Sequence, residues 1–354
     1  MNTFIYASIG FIVGIILLPL IRYWGILFKF VDRPNHRKVH TAPIPALGGV
    51  AVFLGISAFY ALLPSQTSFQ KWDVLIITIS MLFIIGLLDD KFDISSLLRL
   101  AVQLFCAGAI AFAGIKVESL HGVLGIYEIA TWLQIPLTII IIAGVTNAFN
   151  LIDGIDGLAG GLSFINTTVL SVVFYMIGQS DLALFCALIS GVLFSFLIYN
   201  FHPAKIFMGD SGSLVLGFIF AVLGIHIITT DIHNIYPIEV NMNLVFGLLA
   251  LPVFDTLRLF TERIAQKRSP FSADKNHIHH IILNKSANHM KASYIIYLIH
   301  TTFVITALLC TRQSLSILTS LLIIEYILCI FWYRYKRLLT KTDNKYLAYS
   351  EEDG

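Results

Sequence analysis

Charge is scarce in this chain. Of its 354 residues, 12% are Asp, Glu, Lys or Arg and 57% are apolar, whereas a soluble domain carries about a quarter charged residues. With a mean hydropathy of +0.83, the composition excludes a soluble globular protein and leaves a membrane protein. No soluble stretch and no internal repeat interrupts the apolar runs, so residues 1–354 read as a single transmembrane domain. Cysteine is thin as well: Cys106, Cys186, Cys310 and Cys329 all lie in apolar runs without paired or CxxC spacing, which favours packing over disulfide or metal use. The N-terminal apolar run lacks a preceding basic stretch and a small-residue cleavage site, so it reads as a retained first span rather than a cleaved signal. A formal net charge of +2 gives no sign of a nucleic-acid partner.

What the chain has is apolar segments. A spanning helix needs about 20 largely apolar residues, and the sequence predicts an all-α, polytopic protein of about eleven spans. They fall near residues 4–20, 47–63, 74–88, 97–113, 133–149, 158–177, 182–199, 214–228, 244–260, 292–310 and 315–333. Lys and Arg are retained on the cytoplasmic side of a membrane. Placing the N-terminus outside puts all of the 23 basic residues but Lys71, Lys116 and Arg312 on the inner side. The predicted cytoplasmic segments are then 21–46, 89–96, 150–157, 200–213 and 261–291, with 335–354 as a cytoplasmic tail.

The same topology gathers acids at one face. Asp89, Asp90, Asp93, Asn150, Asp153, Asp156 and Asp210 all fall at inner helix ends or inner loops, where a carboxylate at bilayer depth costs ~2.5–3.5 kcal/mol. Helix capping explains any one of them as well as chemistry does. It explains the set poorly. Asp89 and Asp90 are adjacent, and neighbouring carboxylates repel unless a cation or a shared proton relieves them. Asn147, Asn150, Asp153 and Asp156 recur every third residue, which on helical geometry stacks them on one face. Phe207-Met-Gly-Asp210-Ser-Gly-Ser213 sets an acid in a glycine turn entering a helix, a place where backbone N–H groups hold phosphate oxygen. Oxygen ligands beside a phosphate cradle suit Mg²⁺, which binds through one or two carboxylates plus substrate phosphates.

The inner loop before the tenth span carries Lys267, Arg268, Lys275, His277, His279 and His280. Zinc is the rival reading, but no cysteine accompanies the histidines and HxxxH spacing is missing. Donation to an anionic substrate fits better, and predicts that losing His279 or His280 weakens activity with little effect on stability. In the first inner loop, Arg33, Arg37, Lys38 and His40 are explained as well by the positive-inside rule as by substrate contact. A transporter is the generic alternative for eleven spans, but its acids should lie near the midplane and these lie at one edge. The alcohol phosphatidyltransferase pattern shares the Asp-Gly fragment, yet no Ala-Arg follows Asp156-Gly157.

Taken in order, the motifs are Asp32-Arg-Pro-Asn-His-Arg-Lys-Val-His40 with Gly48-Gly49, Leu88-Asp-Asp-Lys-Phe-Asp93, Asn147 to Gly157, Asn200 to Ser213, and Ser272-Ala-Asp-Lys-Asn-His-Ile-His-His280. At these residues, and over nearly its whole length, the chain resembles the polyprenyl-phosphate N-acetylhexosamine-1-phosphate transferases of glycosyltransferase family 4, most closely their bacterial undecaprenyl-phosphate N-acetylglucosamine branch. The resemblance implies a transferase at the cytoplasmic face of the bacterial cytoplasmic membrane. It would pass a sugar-1-phosphate from a UDP-sugar to undecaprenyl phosphate, the first membrane step of an envelope polysaccharide or teichoic acid. It implies catalytic acids at Asp89 and Asp90, beside the lipid phosphate, and at Asp153 and Asp156, in the nucleotide-sugar site. Asp210 and Asn150 match ligands of Mg²⁺, for which Mn²⁺ can substitute, and Asn200 and Phe207 match uracil contacts. Lys38, His40, His277, His279 and His280 become substrate-binding candidates, and a homodimer is an allowed assembly. The His-Ile-His-His form departs from the three-histidine run of the branch that uses the peptide-bearing muramyl nucleotide, and so favours a plain UDP-N-acetylhexosamine.

Overall fold

The computed structural model describes residues 2–32, 43–63, 69–123, 125–230, 242–270, 272, 276–311 and 313–352, with helix backbone alone from 334 onward. In chain order the helices are α1 (Asn2–Leu27), α2 (Gly48–Ala61), α3 (Trp72–Phe92), α4 (Ser96–Phe112), α5 (Thr131–Ile152), α6 (Leu158–Met176), α7 (Ser180–Asn200) and α8 (Asp210–Thr229). There follow α9 (Met242–Ala265), α10 (Ile278–Ser286), α11 (His289–Leu309) and α12 (Leu315–Glu352). Strands are minor: β1 (Val31–Asp32) pairs antiparallel with β2 (Ile44–Pro45), and β3 (Ser119–Val123) with β4 (Ile126–Glu128).

Every apolar run expected to span forms a helix, but not all reach full length. Among the described residues, nine helices are long and apolar enough to cross a membrane: α1, α3, α5 to α9, α11 and the apolar part of α12, Leu315–Tyr333. The other two, α2 and α4, have 14 and 17 residues, or about 21 and 26 Å at 1.5 Å per residue, short of the ~30 Å hydrocarbon core. The start of α2 is set by extended chain ahead of it, because Gly48 and Gly49 donate their N–H groups to the carbonyls of Phe207 and Met208 at 2.8 and 2.9 Å. That of α4 is set by Ser95, whose hydroxyl caps the helix by accepting the Leu98 N–H at 3.3 Å. One helix was not expected: α10 forms inside the stretch read as the 261–291 loop.

The bundle is built around α8. Every residue from Ser211 to Ile225 is buried, the signature of a helix that is apolar all round and enclosed by others. It packs against α2, α3, α5 and α9, while α1 and α6 flank α7. A second apolar cluster joins α9 to α12 with Ile152, Ile155 and Leu158 around the α5–α6 turn. Large apolar side chains such as Ile12, Phe105 and Trp332 point outward, where a bilayer accepts them. The chain is therefore a polytopic helical membrane protein. The C-terminal ends of α3 and α5 and the N-terminal ends of α4 and α8 meet at one end of it.

Candidate active site

Asp89 and Asp90 close the C-terminal end of α3, where the helix dipole is unfavourable to an acid. They do not cap their own helix. The two oxygens of Asp90 accept the backbone N–H groups of Asp210 and Ser211, at 2.7 and 3.1 Å, and so cap α8 from across the interface. The chain can pass this close only because residue 209 is glycine. Its φ is +74°, and a Cβ there would lie 2.6 Å from both the Ala46 carbonyl and the Asp90 carboxylate. Asp89 is relieved by a cation: the Arg99 guanidinium pairs with it and, at 2.5 Å, with Asp210. The Asn150 amide of α5 completes the group, donating to Asp210 at 2.7 Å and to the Ser213 hydroxyl at 3.0 Å.

The three-residue spacing from Asn147 to Asp156 is helical only in its first half. Asn147 and Asn150 share a face of α5, with Asn147 bonded to Gln103 at 2.5 Å. The helix then stops at Ile152, and Asp153 to Gly157 form a turn that ends on Gly157 at φ +81°. Several elements clamp this turn. Asn200 accepts the Gly157 N–H at 2.9 Å, Tyr297 donates to the Gly157 carbonyl at 2.5 Å, and Ser293 to the Asp156 carbonyl at 2.7 Å. Asp153 remains beside the acid cluster: burial, and then the charges of Asp210, Asp90 and Asp156, push its carboxyl up to about 7. Asp156 faces the other way and binds His202 at 2.7 Å and the Ala204 N–H at 3.2 Å. Burial pushes its carboxyl up, but the His289 and His202 imidazoles together outweigh that and leave it below its ordinary value.

The histidines expected to meet substrate together are divided by the structure. His277 is buried and bonded through Nδ1 to Asp255 at 2.8 Å. His279 is 1% exposed and lies against Gly154 so closely that a Cβ there would overlap its ring. Burial, with His280 and His277 adding to it, pushes the His279 imidazole well below its ordinary value and keeps it neutral. His279 is thus part of the packing of the acid turn, which corrects the expectation that its loss would leave stability almost untouched. His280, by contrast, is half-buried. Asn200 is also committed to the fold, donating to the Ile206 carbonyl at 2.8 Å besides accepting from Gly157. Phe207 is half-buried where residues 207–208 meet 45–49. Lys38 and His40 lie outside the described residues.

Sequence reasoning missed Arg99, although a signal was present: a cation in the first turn of a helix opposes the dipole and calls for an acidic partner. It also missed Asp255, His202 and His289. Asp156, His202 and His289 bring ligand atoms within 4.8 Å of one another. Both imidazoles turn Nδ1 to the Asp156 carboxylate, at 2.7 and 3.5 Å, and their rings stack with centroids 5.0 Å apart and planes 16° apart. The acid cluster suits a cation. Asp89 and Asp210 share the Arg99 guanidinium, Asp90 stands at the same helix N-terminus and Asp153 is near enough to feel the charges of Asp90 and Asp210; that surplus of carboxylate next to the Asn150 amide is a donor set of the kind Mg²⁺ takes.

Such a site, at the end of a helical membrane bundle and joined to a helix N-terminus, is that of a membrane-embedded enzyme. The sequence model of glycosyl transferase family 4 matches residues 72–228. A Bacillus subtilis (strain 168) protein named probable undecaprenyl-phosphate N-acetylglucosaminyl 1-phosphate transferase is 35% identical over 332 residues, covering 91% of this chain and 89% of its own. Proteins from Yersinia pestis and Escherichia coli (strain K12), both named undecaprenyl-phosphate alpha-N-acetylglucosaminyl 1-phosphate transferase, are each 31% identical. They cover 81% and 76% of this chain and 79% and 73% of their own. The chain belongs to glycosyl transferase family 4, as its motifs led us to expect.

Proposed function

We propose that this protein transfers N-acetylglucosamine-1-phosphate from its UDP-sugar to undecaprenyl phosphate and releases UMP. The observation that carries this reading is the joining of Asp89, Asp90, Asn150 and Asp210 at the N-terminus of α8, in a chain 35% and 31% identical, over 91% and 81% of its length, to relatives bearing that name. A lipid phosphate oxygen attacks the phosphorus that bears the sugar, and the bond from that phosphorus to UMP breaks. The sugar's C1–O bond is untouched, so anomeric configuration is retained. A phosphate monoester has its second pKa near ~6 and is mostly dianionic at neutral pH, so it needs little help from a base.

Phosphoryl transfer is mainly positioning and charge neutralisation. Asp210 and Asn150, with Asp89 adjacent, would hold Mg²⁺ or Mn²⁺, which neutralises diphosphate charge when bound. Asp90 keeps α8 in place beneath the phosphates. Arg99 stands between Asp89 and Asp210, where its planar fork can also meet a phosphate. The Asp153–Gly157 turn, Asn200 and Phe207 form the nucleotide-sugar side, with His280 the histidine best placed to donate to it. With the N-terminus outside, and the shorter α2 and α4 crossing along with the nine longer helices, this end of the bundle lies in the cytoplasm of a bacterial cell, where UDP-sugars are made.

The test is UMP release by purified protein given undecaprenyl phosphate and a panel of UDP-sugars. UDP-N-acetylglucosamine should be turned over in a metal-dependent manner, and full activity in excess chelator would refute the metal assignment. Labelling of cysteines placed in the tail by an impermeant reagent on intact cells would refute the orientation.

A further inference from the structure

One buried carboxylate outside the acid cluster ties the histidine motif to the bundle. Asp255 of α9 is 1% exposed, and its two oxygens have different partners. Oδ1 accepts from the Ile278 N–H at 3.0 Å, from Arg258 Nη2 at 2.8 Å and from the Tyr326 hydroxyl at 2.9 Å. Oδ2 accepts from His277 Nδ1 at 2.8 Å. Arg258 also donates to Tyr326 and Glu262, each at 3.0 Å, and to the Asn276 carbonyl at 2.6 Å.

These contacts divide the work of the carboxylate. The guanidinium balances its charge, and the Oδ1 bonds fasten α9 to the start of α10 and to α12. An architectural role is complete with those bonds. The Oδ2 bond does something else. An ionised carboxylate cannot donate, so His277 must carry its proton on Nδ1, and its ring plane and Nε2 are fixed. That ring stacks on His279, with centroids 5.5 Å apart and planes 10° apart, and His279 lies on Gly154 in the acid turn.

We propose that Asp255 is a positioning residue of the transfer site, holding through Oδ2 the tautomer and ring plane of His277 and, through the His277–His279 row, the acid turn that carries Asp153 and Asp156. The proposal rests on the functional reading above and adds to it a residue that touches no substrate.

Asp255→Asn separates the two roles, because the amide oxygen can keep the Oδ1 bonds while the amide nitrogen no longer accepts from His277. In UMP-release assays on the full chain, its kcat should fall ~10- to 100-fold, the loss typical of removing an orienting partner. KM for UDP-N-acetylglucosamine should stay within about threefold, while the thermal midpoint should fall, because the buried Arg258 guanidinium loses one of its two carboxylate partners. His277→Gln breaks the same link from the other side and should show the same loss, and the double variant should be no slower than either single one. An Asp255→Asn enzyme at full kcat, or losses that multiply in the double variant, would overturn the proposal. If Asp255→Asn fails to fold, a full-rate His277→Gln overturns it instead. No UMP from the unmodified chain would overturn the functional reading and this proposal with it.

Discussion

Asp90 and Asp210 meet backbone to side chain: the Asp90 carboxylate on α3 accepts the N–H that opens α8 at Asp210, at 2.7 Å, and the next one from Ser211 at 3.1 Å. An acid placed by sequence at an inner helix end is thus a cap, but of a neighbouring helix that also carries a metal-ligand candidate. Capping and chemistry are not alternatives here. The cap fixes where Asp210 stands.

A graded response to substitution follows. Asp90→Ala leaves both N–H groups without their acceptor and should lower stability by about 0.5–2 kcal/mol, the usual effect of losing an N-cap. Asp90→Asn keeps one acceptor and should lose less. Both should cut turnover severely, since either lets α8 shift. Thermal unfolding in detergent gives the first ranking and UMP release the second; an Asp90→Ala protein as stable as the unmodified one would show that the cap is not formed.

Arg99 is the cation that makes the Asp89 and Asp210 pair tolerable. Arg99→Gln removes that charge and should reduce kcat/KM at least ~10-fold, about 1.4 kcal/mol of transition-state stabilisation. Arg99→Lys keeps the charge without the fork that bridges two carboxylates, and should fall between. Steady-state UMP release separates the three proteins. A lysine variant as slow as the glutamine one would mean that fork geometry matters and charge does not.

Asp153 titrates in a usable range. Its carboxyl is raised from 3.8 to about 7 by burial and by its acidic neighbours, so between those values the folded chain holds a proton that the unfolded chain has released. Its contribution to stability is greatest below the lower value and is lost as pH rises through the upper one. A cation binding this cluster favours the ionised form and must displace that proton. Mn²⁺ affinity, measured by paramagnetic resonance, should therefore tighten from about pH 6 to about pH 8, and Asp153→Asn should flatten the dependence. An unchanged slope in the variant would place the titrating group elsewhere.

The parts of this picture legible in sequence were those that a membrane makes expensive. Apolar runs must span, and acids at a membrane face need partners, so the helices and Asp89, Asp90, Asn150 and Asp210 could be found from the chain alone. Partners across helices could not be found. Arg99 looked like one more positive-inside residue, and nothing local ties Asp255 to His277, 22 positions away. The helical reading of Asn147 to Asp156 failed at Gly154 and Gly157, which were visible as glycines but whose turn depends on Asn200 and Tyr297. Helices α2 and α4 are shorter than the apolar runs suggested because hydropathy does not report that Phe207, Met208 and Ser95 fix where those helices begin.

The contact between Gly154 and His279 offers a test that reads packing without relying on activity. A Cβ on residue 154 would overlap the buried imidazole, so Gly154→Ala must push His279 aside and should destabilise the protein by about 1–3 kcal/mol, as overpacking does. His279→Ala empties a buried site and should cost about 2 kcal/mol or more. Combined, the two changes relieve each other, because the new methyl enters space that the ring has left. The double variant should therefore be more stable than the sum of the singles predicts, by about 0.5–3 kcal/mol, the range for residues in direct contact. Thermal or denaturant unfolding of the four proteins in one detergent supplies the cycle. Strict additivity would show that the imidazole does not rest on the acid turn, and would remove the link on which the Asp255 proposal depends.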